Sequence, residues 1–171
     1  TVSVDARDGI TTGISAADRA RTCRVLADSA TEPFELNQPG HIIPLRAKPG
    51  GVLERAGHTE AAVDFARLAG LTPAGVIGEV LHDDGTLMRA PALREFADEH
   101  GIALVSIEDL QVYRRLHEIQ VERLATTRLP TEFGEFTAHG YRDRIEGSEH
   151  IALVFGDPGT EDVLTRIHSE C

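Results

Sequence analysis

The chain has 171 residues, a length that suits one domain or one domain with the start of another. Hydrophobic residues make up 41%, enough for a core, and charged residues 26%. The formal net charge of -11 disfavours bulk attraction to nucleic acid or to an anionic membrane, so a phosphorylated ligand would need a local cluster of donors.

In chain order, Val2 and Val4 alternate with polar residues and predict the end of a strand. Asp8-Gly9 signals a turn before Thr11-Thr12-Gly13. Ser15 followed by Asp18 predicts a capped helix through Leu26, with Asp18 placed to meet exposed amides. Residues 28–40 read as loop. His41 to Leu45 is short and apolar, but Pro44 argues against a central strand and for an edge or loop. Lys48 to Gly51 reads as another loop. Thr59 is the expected cap of an alanine-rich helix from Glu60 to Leu68, closed by Gly70.

Ala74 to Leu81 reads as a buried strand, Asp83-Asp84-Gly85 as a turn, and Thr86 to Arg89 as a returning strand. Pro91 starts a helix that ends near His100-Gly101. Ile102 to Ile107 predicts a further apolar strand. Glu108 to about Ile119 predicts a helix whose apolar face carries Leu110, Val112, Tyr113 and Leu116. A boundary falls near residue 120. The pattern beyond it is strand-rich, with strands expected at 133–141, 150–155 and 163–167. The expected fold class is α/β (α+β), a mixed sheet with packed helices followed by a smaller β-rich piece. No apolar run reaches membrane-spanning length. Cys23 and Cys171 are far apart, which argues against a disulfide framework and fits a reducing cytoplasm.

Several segments could carry chemistry. In Arg55-Ala56-Gly57-His58-Thr59, an arginine fork, a small glycine and a hydroxyl at a helix start suit a phosphate or sugar phosphate. A plain helix start with solvated Arg55 and His58 explains the same residues. His41, near Arg46 and Lys48, is an acid/base candidate or a partly exposed loop histidine. Glu79 lies in an apolar run, where a carboxylate is costly unless paired, ligated or facing out. Thr11 to Ser15 is either a second anion cradle or a capped turn. Arg166-Ile167-His168-Ser169-Glu170-Cys171 could begin a metal site, although zinc needs several ligands.

Together these motifs resemble a known pair of enzymes. TVSVDARDGITTGISAADRA, QPGHIIPLRAKPGGVLERAGHTEAAVD, LAGLTPAGVIGEV and FADEHGIALVSIEDL resemble the later two-thirds of 3,4-dihydroxy-2-butanone 4-phosphate synthase. VERLATTRLPTEFGEFTAHGYRD, EHIALVFGD and VLTRIHSEC resemble the start of GTP cyclohydrolase II. The resemblance implies domains at 1–119 and 120–171, within a two-function enzyme of riboflavin biosynthesis. It implies conversion of D-ribulose 5-phosphate to 3,4-dihydroxy-2-butanone 4-phosphate and formate, by a cytoplasmic homodimer using magnesium or manganese.

Residue by residue, the resemblance implies that His41 and Glu79 are catalytic. Thr12, Arg55, Ala56, Gly57, His58 and Thr59 would contact substrate, with His58 also on the divalent metal. In the second part, Arg166, Ile167, His168, Ser169 and Glu170 match a GTP-contacting segment, and Cys171 matches the first of three zinc cysteines. Gly78 stands where the family commonly has cysteine. The family's acidic metal-binding loop and its later zinc cysteines have no counterpart here. Both ends are therefore expected to be cut and the isolated chain inactive. The alternatives are a parent whose main activity is GTP cyclohydrolase II, or an inactive assembly module.

Overall fold

The computed structural model describes residues 1–159 and 162–169. The chain divides into two compact units, Thr1–Leu116 and His117–Cys171. The expected mixture of helices and sheet is present, with four α-helices and two antiparallel sheets among the described residues.

In the first unit, β1 (Val4–Ala6) pairs antiparallel with β2 (Leu36–Ile42). β2 corrects the loop expected over residues 28–40. It contains Pro39, which a regular ladder excludes. The pairing accommodates it through a register break. Val4 lies opposite Ile42, Asp5 opposite Asn37, and residues 38–41 bulge between, with a cis peptide at Gln38-Pro39. Gly40 makes the bulge possible. A β-carbon there would overlap the Val4 carbonyl carbon and the Asp5 amide.

Helix α1 (Ala16–Ala27) starts as expected, with the Ser15 hydroxyl accepting the Asp18 amide at 3.1 Å. Thr22, fully buried, ties α1 to β1 by accepting the Ala6 amide at 2.9 Å. Helix α2 (His58–Leu68) begins two residues earlier than its predicted start at Glu60. Gly57 is its cap position, so Thr59 lies within the first turn and caps nothing. Helix α3 (Ala90–His100) has Pro91 in its first turn and ends on Gly101 at φ 63°, both as expected. Helix α4 (Ile107–His117) matches its prediction, but only Leu110 of the named apolar face is buried.

The small core joins Val52, Ala61 and Leu110, with Ile107 packed against it. A polar clamp surrounds it. Buried Asp64 on α2 accepts the Val52 amide at 2.8 Å and the Arg114 guanidinium of α4 at 2.8 Å. Arg114 also donates to the Gly50 carbonyl at 2.8 Å, and Gln111 to the Val52 carbonyl at 2.7 Å. The short turn Gly51–Leu53 is thus gripped from two helices.

Two expected strands do not form. Residues 74–80 and 102–106 have no regular pairing, and Val76 (80% exposed) and Leu104 are exposed. An apolar composition favours a strand, but a strand also needs a neighbour for its backbone groups. β1 and β2 pair only with each other among the described residues. The turn at Asp83–Gly85 does form, and the return is reduced to one bridge, Leu81 to Leu87.

The second unit is an antiparallel meander of β3 (Val121–Thr131), β4 (Gly134–Asp143) and β5 (Glu149–Phe155). β4 and β5 fall where strands were expected. β3 was not anticipated, because its residues are mostly polar and include Pro130. Its pairing with β4 is reinforced by Arg128, which forks onto both oxygens of Glu135 at 2.7 and 2.6 Å. That contact raises the Arg128 pKa, with burial opposing it. The strand expected at 163–167 is absent.

Candidate functional site

The Asp18 carboxylate organises the loop before α1. One oxygen accepts the Thr11 amide at 3.1 Å. The other accepts the Thr11 hydroxyl at 2.8 Å and the Gly13 amide at 3.0 Å. These groups correct the idea of an empty anion cradle, because the protein's own carboxylate already fills it. The Thr11 hydroxyl is the largest cause holding the Asp18 pKa below its ordinary 3.8; burial opposes it, and the two amides add to it. Thr12 is exposed in the same loop.

Gly13 leads from this loop to His41. It sits at φ 87°, and a β-carbon there would overlap the Asp5 carboxylate and crowd the His41 ring. Asp5 holds His41 through both oxygens. One accepts the His41 amide at 2.9 Å, and the other lies 2.7 Å from Nδ1. The His41 amide is the largest cause of a lowered Asp5 pKa; burial raises it, and the His41 ring lowers it further. The Asp5 side chain is 10% exposed and that of His41 40%, so the ring is anchored on one side and open on the other.

A second cluster surrounds the start of α2. Glu60 is fully buried, with one oxygen accepting the Lys48 amide at 3.1 Å and the other the Arg55 guanidinium at 2.6 Å. Burial raises the Glu60 pKa, but the Lys48 amide, Arg55 and its own amide outweigh it and leave it below the ordinary 4.5. Gly57 is confined by the same pair, since a β-carbon would overlap Arg55 and crowd Glu60. Arg55 is 59% exposed on its side chain despite this tie. Ala56 and His58 are exposed, and Gly57 and Thr59 half-buried. Arg55, His58 and Thr59 therefore share one helix start, where first-turn amides lack intrahelical partners.

Glu79 is exposed and lies in irregular chain. Exposure removes the desolvation cost that made it anomalous in sequence. Among the described residues, no hydrogen bond or ion pair joins His41, His58 and Glu79. No group of three or more His, Cys, Asp or Glu side chains converges among the described residues, so these do not by themselves fit a metal ion. In the second unit, Arg166, Ile167, His168 and Ser169 are exposed and without regular structure. Glu170 and Cys171 lie outside the described residues. No described helix is long and apolar enough to cross a membrane.

Asp5 was missed in sequence, because alternation with Val2 and Val4 puts it on the polar side and its burial shows only in the folded strand. A carboxylate in a strand whose three residues are all buried needs a partner, as was argued for Glu79. Asp18 also gives an expected pH response. Its folded-state pKa lies below the unfolded value. Its contribution is fully present above that value and is lost as pH falls through the lowered one. Asp18→Asn should therefore flatten the acid limb of a melting-temperature profile below about pH 4. An acid limb of unchanged slope would exclude this role.

A family model described as 3,4-dihydroxy-2-butanone 4-phosphate synthase matches residues 1–113, and one described as GTP cyclohydrolase II matches residues 122–171. The riboflavin biosynthesis protein RibBA of Salinispora arenicola is 59% identical over 172 residues, covering 100% of this chain and 41% of that protein. The chain thus spans about two fifths of the length of the curated relatives it matches. The crystal structure of RibBX, a two domain 3,4-dihydroxy-2-butanone 4-phosphate synthase from A. baumannii, is 49% identical with a TM-score of 0.74. The match covers 92% of this chain and 46% of that one. A 3,4-dihydroxy-2-butanone 4-phosphate synthase solved in complex with two magnesium ions is 39% identical with a TM-score of 0.60, over 68% of this chain and 60% of that one. The buried Asp5, the anchored His41 and the Arg55–Thr59 helix start all fall within the first match, and the chain belongs to the 3,4-dihydroxy-2-butanone 4-phosphate synthase family.

Proposed function

We propose that residues 1–119 are part of a 3,4-dihydroxy-2-butanone 4-phosphate synthase, a lyase acting on D-ribulose 5-phosphate, and that residues 120–171 open a GTP cyclohydrolase II. The observation that carries this reading is His41, held by Asp5 on one side and open on the other. The division between compact units at Leu116 and the two family matches support the domain assignment.

In this reading the substrate phosphate meets Arg55 and the first turn of α2, with Ala56 to Thr59 lining the approach and Thr12 as a further contact. Arg55 uses one nitrogen on Glu60, which leaves other donors of its fork for an anion. His41 and Glu79 move protons. Removal of the C3 proton gives an enediol, and rearrangement then releases C4 as formate. His58 would be one donor toward magnesium or manganese. The neighbour solved with two magnesium ions supports a divalent metal in this role. In the second part, Arg166 to Glu170 contact GTP and Cys171 binds zinc. A cytoplasmic homodimer completes the reading.

The test is formate release from ribulose 5-phosphate with magnesium, in the protein at the length of its relatives. Glu79→Gln should abolish release with folding intact, because Glu79 is exposed among the described residues and the change keeps its size. Retained turnover would remove Glu79 from the mechanism. Formate and pyrophosphate from GTP, with zinc, test the second part separately.

A further inference from the structure

We propose that Asp5 is a positioning residue that fixes the His41 imidazole in its Nδ1–H tautomer and leaves Nε2 to accept a proton. The inference rests on the synthase reading for its consequence, but its geometry stands by itself. Both Asp5 oxygens are committed to His41, one to its amide at 2.9 Å and one to Nδ1 at 2.7 Å. A single carboxylate thus sets both where the backbone of residue 41 lies and how its ring is turned. An ionised carboxylate can only accept, so Nδ1 carries the hydrogen, and in the neutral ring Nε2 then holds the lone pair.

The surroundings keep Asp5 in this task. Asp18 is the other carboxylate that acts on it, and Asp18 is itself taken up by Thr11 and Gly13. Gly13 closes over the pair without a side chain to part it. The lowered pKa of Asp5, due first to the His41 amide, is consistent with a carboxylate that stays charged. Nε2 has no protein partner among the described residues. The anchored nitrogen faces the protein, and the other is free for a ligand.

Asp5→Asn gives a specific contrast. The asparagine carbonyl can still accept the His41 amide, but its NH2 then meets Nδ1 and demands the opposite tautomer, with hydrogen on Nε2. A proton acceptor becomes a donor at nearly constant shape. The experiment is nitrogen-15 NMR of His41 at alkaline pH, where the ring is neutral, on the full chain, together with formate release in the protein at its relatives' length. Unmodified protein should show Nδ1–H and Asp5→Asn should show Nε2–H. Asp5→Asn should also lower kcat at least about a hundredfold, the scale of a positioned general base, with KM changed far less.

A purely structural role for Asp5 would not invert the tautomer. Nε2–H in the unmodified protein, or one tautomer in both proteins, overturns the proposal. If Asp5→Asn does not fold, the unmodified spectrum alone decides. The expected tautomers with no formate from unmodified protein would refute the synthase reading and leave the action of Asp5 on His41 established.

Discussion

Arg114→Ala is expected to destabilise the first unit by about 3–5 kcal/mol, the cost of removing one partner from a buried ion pair. Arg114 and Asp64 are 3% and 2% exposed on their side chains and meet at 2.8 Å. Without the guanidinium, Asp64 keeps the Val52 amide and the Arg67 contact but loses its buried counter-charge. The Gly50 carbonyl loses its donor as well. The grip on the turn Gly51–Leu53 then weakens, and Val52 in the core depends on that turn. Urea unfolding monitored by circular dichroism checks this. A loss below about 1 kcal/mol would place the pair among ion pairs of small net effect. Arg114→Met should recover little, since it also leaves the buried Asp64 carboxylate without its buried partner.

Gly40→Ala is the second large effect. The added methyl has no side chain to push aside, because its nearest neighbours are the backbone of Val4 and Asp5. Either the β1–β2 pair opens or the bulge at residues 38–41 moves. Both displace His41 from Asp5. The expected loss is about 3 kcal/mol, the upper end for an inserted methyl in a packed site. On the synthase reading, formate release in the protein at its relatives' length should fall with it, even at temperatures where the protein stays folded. A neutral Gly40→Ala, in melting temperature and in turnover, would mean that the bulge yields readily and that its shape does not hold His41.

The helices were legible because their signals are local. Ser15 with Asp18, Pro91, and Gly101 each act within a turn or two of the chain, and each marks its helix correctly. Thr59 misled by two positions because Gly57, confined by Arg55 and Glu60, takes the cap. Sheet formation is a relation between distant segments, which composition does not contain. Residues 74–80 have the apolar character of a strand and form no regular pairing among the described residues, while Leu36–Ile42, with a proline inside it, pairs through a bulge. β3 was hidden by its polar residues, since an exposed strand has no apolar alternation to announce it. The candidate site divides in the same way. Arg55 to Thr59 are contiguous and were found together. Asp5 and His41 stand 36 residues apart and meet only through the register of β1 and β2.

The Asp18 contacts have a consequence for ligand affinity. A flexible loop must surrender backbone freedom when it closes on a ligand, about 1–2 kcal/mol for each residue ordered. The loop at Thr11 to Gly13 has already surrendered it, because two of its amides and one hydroxyl are bound from within before any ligand arrives. That entropy is charged to folding instead of to binding, and the affinity of any molecule resting on Thr12 gains by the difference.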